Sequence, residues 1–139
     1  MGERFSRTAR LLGAAKMARL QAARVAVFGI GGVGSFVAEG LARAGIGFFR
    51  LVDGDDIDVT NINRQIHALT STVGQNKAEA MKARIFDINP EAEVEAVARF
   101  YRPEAAEQFL GGGFHYVVDA GNMVTAKLKP RIYLKQLSL

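Results

Sequence analysis

Gly29, Gly31 and Gly34 stand in GxGxxG spacing within the run GIGGVGS at residues 29–35. Glycines at these positions let the backbone turn tightly and come close to a phosphate, and the N–H groups and dipole of a following helix attract negative charge. Asp53 comes 19 residues after Gly34, at the end of the next apolar run, where an acidic side chain can hydrogen-bond a ribose hydroxyl. This pattern predicts a nucleotide site. It leaves NAD, FAD and ATP open, and a bare fingerprint with an acid favours NAD. Lys77 falls in the first turn of a predicted helix, where a cation opposes the macrodipole by roughly 0.3–1 kcal/mol unless an anion offsets it. Arg64 lies in a polar segment beside Asn61, Asn63 and Gln65. Alone, these read as a solvated lysine and a turn arginine; with the glycine loop they point to a triphosphate.

Other spacings carry less. Asp53, Asp55, Asp56 and Asp58 lack the order of an EF-hand loop, since Ile57 and Asp58 stand where a ligand and a glycine are required. His67 and His115 have no metal-ligand partner at useful spacing, and His115 enters an apolar strand where a structural role is expected. Arg99-Phe100-Tyr101-Arg102 interleaves bases with aromatics, as a nucleic-acid contact does, but a strand end packing on a helix explains it better. The GxxxxGK[ST] loop of P-loop NTPases is absent, and there is no cysteine to form a disulfide, a thiolate metal site or an enzyme thioester.

Alternating elements position these residues. Residues 6–20 predict an amphipathic helix with Leu11, Leu12, Ala15 and Leu20 on its apolar side. Residues 24–28 form a buried strand, residues 35–44 a helix stopped by Gly45 and Gly47, and residues 48–52 a second strand. The polar stretch 54–74 is long for an α/β connection, with one helical turn expected at 64–68, and long loops commonly carry function. Residues 76–88 place Ala78, Met81, Ile85 and Ile88 on one helical stripe that ends at Asn89-Pro90. A strand at 93–98, a helix at 103–110 and a strand at 115–119 follow. Strand and helix in alternation predict an α/β, Rossmann-like three-layer fold with a mainly parallel sheet. Residues 1–22 read as an N-terminal helical segment and residues 23–139 as the nucleotide-binding domain.

The 139 residues, 49% of them apolar, suffice for one buried core. No apolar run reaches the roughly 20 residues of a transmembrane helix, and Glu3, Arg4, Arg7 and Arg10 interrupt any signal-peptide centre, so a cytoplasmic protein without membrane contact is expected. The net charge of +4 sits at the ends: six basic residues against one acid in residues 1–24, and four against none in residues 121–139. The middle is acidic. The ends read as solvated helix faces, with phosphate or tRNA contact as the alternative.

RFSRTARLLG near the start, GIGGVGS, VDGDDIDVTNINRQ, VGQNKAEAM and DINPEAEV, in this order over residues 4–120, resemble the E1-like superfamily of adenylating enzymes, the group of ThiF, MoeB and HesA. NINRQIHAL and AGIGFFRLVDGDDIDVTNINRQ look most like its tRNA threonylcarbamoyladenosine dehydratases. The resemblance implies ATP and Mg²⁺, with Gly29, Gly31, Gly32 and Gly34 lining phosphates, Asp53 and Asp55 at the ribose side, and Asn61, Arg64, Gln65 and Lys77 on phosphate or adenylate. It implies a homodimer in which Arg7 reaches the partner subunit's γ-phosphate, making Arg7, Arg64 and Lys77 the catalytic candidates. The implied reaction is adenylation of the threonylcarbamoyladenosine carboxylate in tRNA, giving its cyclic dehydrated form, and the family also implies a cysteine-desulfurase/sulfur-acceptor partner system. Adenylation of a sulfur-carrier or ubiquitin-like C-terminus is the nearest alternative; an NAD-dependent oxidoreductase or an inactive nucleotide-binding fragment is the other. The chain departs from the family pattern at Asp119-Ala120-Gly121-Asn122, where a second aspartate is usual: Asn122, the metal position, keeps an acceptor but loses the charge that attracts Mg²⁺. The sequence drifts from the family after Leu128 and ends where the family continues for about as long again, so an incomplete C-terminal half and an impaired site are expected.

Overall fold

Parallel pairing around one central strand sets the architecture. The structure, a computed structural model, describes residues 2–121. The elements are α1 (Ser6–Leu12), α2 (Ala14–Ala22), β1 (Arg24–Phe28), α3 (Gly32–Ala44), β2 (Phe48–Val52), a 3₁₀ turn (Val59–Asn61), α4 (Lys77–Ile88), β3 (Glu93–Val97), a 3₁₀ turn (Pro103–Ala105), α5 (Ala106–Leu110) and β4 (Tyr116–Asp119). The sheet has the order β3-β2-β1-β4, and each pairing is parallel. Phe28 is level with Val52 and Asp119, and Val52 with Val97, so four carboxyl ends open along one edge.

Because side chains alternate across a strand, one sequence serves two cores. Val25, Val27, Phe49, Leu51 and Val94 face one way, against Ala38 and Ala42 of α3 and Met81 and Ile85 of α4. Ala26, Phe28, Phe48 and Val52 face the other, against Tyr101, Phe109, Leu110 and Phe114. The result is the three-layer α/β arrangement that the alternating pattern predicts.

Several boundaries differ from the sequence reading. The N-terminal helix is two helices, because Gly13 adopts φ 84° and stops the first. Its anchors are Phe5 and Met17, both buried, while Leu11 is 87% exposed. Helix α3 starts at Gly32 rather than Ser35, since the glycines themselves supply the first turn. A 3₁₀ turn that the sequence reading lacks forms at Val59–Asn61, where Asp58 accepts from the Thr60 N–H while Asn61 accepts from the Asp58 N–H; within 64–68 a single turn closes as the Ala68 N–H donates to the Gln65 carbonyl at 3.0 Å. The helix expected over 103–110 divides into a 3₁₀ turn and α5. His115 lies just outside β4, exposed, where its N–H donates to the Arg24 carbonyl and its Nδ1 accepts from the Arg24 N–H. Its role is structural, as expected, but at the strand's entrance.

Candidate functional site

The chain leaves β1 through α3 to β2 on one side and returns to β4 on the other, so β1 is the switch point where open α/β sheets form their ligand crevice. A cavity of about 570 Å³ lies there, at the carboxyl ends of the strands. Gly29, Gly31, Gly32, Asp53, Asp55, Asn61, Arg64, Gln65 and Lys77 all line it. Nine positions chosen from sequence thus share one cavity.

The glycine loop is shaped for close approach. Gly29 has φ 88°, and a Cβ there would stand 2.8 Å from the Gly121 backbone nitrogen, so no other residue fits without moving the β4 end. Gly34 does not line the cavity: it packs under the loop, and a methyl group would collide with the Gly29 carbonyl. Its part is close helix-to-strand packing rather than the phosphate contact expected of it. Helix α3 opens at Gly31 without a side-chain cap, which leaves its first-turn N–H groups for an incoming anion. By contrast α4 is capped, the Asn76 side chain accepting from the Glu79 N–H at 3.0 Å.

Asp53 is more occupied than the sequence predicts. Its Oδ2 accepts from the Ile30 N–H at 2.7 Å and its Oδ1 from the Asp55 N–H at 2.8 Å. The carboxylate therefore ties the β2 end to the glycine loop, and only its remaining lone pairs are left for a ribose.

Lys77 is 8% exposed, at the first position of α4, and its ammonium has no hydrogen bond or ion pair among the described residues. A buried cation without an ion pair is costly, and this one sits against the dipole of its own helix. Gln65 is 6% exposed with its Oε1 unsatisfied, and Asn61 uses its Oδ1 on the Asp58 N–H. Arg64 is exposed and braced through one nitrogen on the Thr60 carbonyl and Asn63 Oδ1, both at 3.0 Å, leaving its other donors for a ligand. Together they surround the crevice with donors and positive charge, and with Asp53 and Asp55 on one side.

Arg7 lies elsewhere. Phe5 and Met17 pack around Gly45, and the Gly47 N–H donates to the Leu20 carbonyl, which puts α1 and α2 beyond the amino ends of the strands. Exposed on α1, Arg7 is at the far end of the sheet from its own cavity. Asn122 lies outside the described residues. Among those described, no group of three or more His, Cys, Asp or Glu residues could hold a metal ion.

A profile of the ThiF family matches residues 5–136. The chain belongs to the ThiF family. Among relatives, a tRNA threonylcarbamoyladenosine dehydratase of Bacillus subtilis (strain 168) is 53% identical over 128 residues, 92% of this chain and 50% of that protein. A protein of the same name from Escherichia coli (strain K12) is 50% identical over 125 residues, 90% of this chain and 47% of that one. The crystal structure of the E. coli tRNA N6-threonylcarbamoyladenosine dehydratase, TcdA, in complex with ATP matches with a TM-score of 0.86 at 48% identity, over 95% of this chain and 53% of that one. The chain spans about half the length of the curated relatives it matches.

The ThiF-family crevice also holds residues to which the sequence motifs assign no nucleotide contact. Phe100, 56% exposed, and Asp119 line it. Tyr101 also reaches it but is buried, edge-on to Phe28 at 4.9 Å, so within Arg99-Phe100-Tyr101-Arg102 the tyrosine belongs to the core, as the packing reading has it. Asp119 had a signal: it ends the strand on the other side of the switch point. Among the described residues, no helix is long and apolar enough to cross a membrane.

Proposed function

We propose that this chain is the nucleotide-binding part of an ATP-dependent adenylating enzyme that activates the threonylcarbamoyladenosine carboxylate of tRNA. The observation that carries the reading is Lys77: a buried ammonium with no ion pair among the described residues, in a crevice it shares with a glycine loop and Arg64. A polyphosphate supplies the missing anion, whereas the single pyrophosphate of NAD needs only the loop.

The reaction joins two anions. A carboxylate oxygen of the substrate forms a bond to the α-phosphorus of ATP, the bond to the bridging oxygen breaks, and pyrophosphate leaves. The mixed anhydride then closes intramolecularly with loss of AMP. Lys77 and Arg64 screen the repulsion between carboxylate and phosphate, and the first-turn N–H groups of α3 hold the phosphates in place. Asp53 keeps the loop in register and offers its free lone pairs to the ribose. Arg7, at the far end of its own sheet, serves this chemistry only in a homodimer that brings it to the other protomer's crevice. Mg²⁺, when bound, would neutralise phosphate charge. The sulfur-acceptor partner has no support in the crevice geometry.

Titration calorimetry of this chain with ATP and with NAD tests the reading. ATP binding with NAD silent is the expected result, and NAD binding without ATP binding sinks it. Pyrophosphate exchange by a chain extended to its relatives' length, stimulated by threonylcarbamoyladenosine-bearing tRNA and not by a Gly-Gly-ended carrier protein, tests the substrate.

A further inference from the structure

His67 is 2% exposed, and its Nε2 lies 2.7 Å from the Ile30 carbonyl oxygen. A carbonyl only accepts, so Nε2 carries the proton and Nδ1 is left with a bare lone pair, which has no partner among the described residues. The other side of Ile30 is held as well, its N–H donating to Asp53 at 2.7 Å. Ile30 itself is fully buried. The residue between Gly29 and Gly31 is therefore gripped at its N–H by the end of β2, at its carbonyl by the polar stretch, and at its side chain by the core.

We propose that His67 is a positioning residue for the anion-binding loop: it fixes the Ile30–Gly31 peptide plane, and with it the direction of the N–H groups that follow. Gly31 and Gly32 have no side chains to pack and α3 has no side-chain cap; the Ser35 N–H holds the Gly31 carbonyl at 3.0 Å, and His67 holds the peptide before it, at the Ile30 carbonyl. The polar stretch that supplies His67 also supplies Arg64 and Gln65, so one contact registers the cationic wall of the crevice against its N–H wall. The Thr72 hydroxyl donates to the His67 carbonyl and steadies the histidine in turn.

The charges facing the imidazole fit this role. Burial pushes His67 below the ordinary histidine range; the Ile30 carbonyl and Asp53 pull it back up, while Lys77 and Arg84 press it further down. A neutral imidazole is the form with one donor and no charge to bury beside Lys77. The inference rests on the ATP reading only for its affinity probe.

The test compares His67→Leu, which loses the donor, with His67→Gln, whose amide Nε2 reaches about as far. ATP affinity is expected to fall about tenfold in His67→Leu and to return to within threefold of the parent chain in His67→Gln. Hydrogen exchange of the Ile30 amide is expected to quicken in His67→Leu while that of Val27 in β1 does not change, which a general loss of stability would not produce. Nitrogen NMR of the unmodified chain is expected to show the Nε2–H tautomer at neutral pH, and this reading stands if His67→Leu does not fold. Unchanged ATP affinity and Ile30 exchange in a folded His67→Leu, or an Nδ1–H tautomer in the parent, overturns the proposal. A parent chain that binds no ATP sinks the nucleotide reading instead, and exchange and tautomer then decide the clamp on their own.

Discussion

The ring of Phe100 lies over the backbone of Gly54, so close that a Cβ at residue 54 would sit 2.5 Å from Phe100 Cδ2. Phe100 borders the glycine-loop crevice on one side and, with Gly54, a second cavity of about 500 Å³ on the other. The absence of a side chain at 54 is thus what lets an aromatic wall stand between the two. Gly34 is also closely packed, but its obstacle is the Gly29 carbonyl, which cannot swing aside.

The two glycines should therefore respond differently to alanine. Gly54→Ala displaces an exposed side chain, so its cost to folding is expected to be below about 1 kcal/mol, with the wall lost and nucleotide affinity reduced severalfold. Gly34→Ala forces backbone apart and is expected to cost about 3 kcal/mol or more. Thermal melts of both variants with ATP titrations of Gly54→Ala check this. Equal loss of stability in the two variants would mean that Phe100 is held more rigidly than its exposure implies.

What the sequence made legible follows from how local each cause is. Gly29 to Gly34 could be read because the turn, the close approach and the helix start all act within six residues of chain. The two-sided core could be read because strand periodicity is local as well. The crevice residues Asn61, Arg64, Gln65 and Lys77 came together as the family resemblance implies, although spacing alone gives no reason for a polar stretch to fold back over the loop. The break at Gly13 was hidden because a glycine inside an apolar pattern is tolerated as often as it stops a helix. Neither the His67 contact with Ile30, 37 residues away, nor the Phe100 contact with Gly54 leaves a periodic trace. Such contacts exist only once β1, β2 and β3 lie side by side.

Glu39 joins α3 to α4 and to its own helix. Its Oε1 accepts from Arg84 Nε at 2.6 Å and its Oε2 from Arg84 at 3.2 Å and Arg43 at 2.8 Å. Burial alone would raise this carboxyl, but the hydrogen bonds and charges of Arg84 and Arg43 together outweigh burial and hold it below the usual glutamate range. A carboxyl whose folded pKa is depressed contributes stability that is fully present above its unfolded value of 4.5, and this is lost as pH falls through the folded value. Glu39→Gln is expected to cost about 1–3 kcal/mol at pH 7, moderated by the partial exposure of both arginines. Melts of parent and variant at pH 7 and pH 3 check the sign: the gap should narrow in acid, and an equal gap at both would show that the ion pair is not its source.

Lys77 separates stability from function most sharply. At the first position of α4 its charge opposes the helix dipole, and at 8% exposure it has given up much of its hydration without gaining an ion pair among the described residues. Methionine has similar length, keeps the aliphatic contacts and carries no charge, so Lys77→Met is expected to stabilise the chain by about 1 kcal/mol, roughly 3–5 °C for a domain of this size. If Lys77 meets a bound phosphate as proposed, the same change is expected to lower ATP affinity about 10- to 100-fold. Rising melting temperature with falling affinity is the signature of a residue kept for its ligand. Calorimetry and thermal melts on one variant read both, and a variant that melts lower than the parent would make Lys77 a structural residue and remove the main support for the triphosphate site.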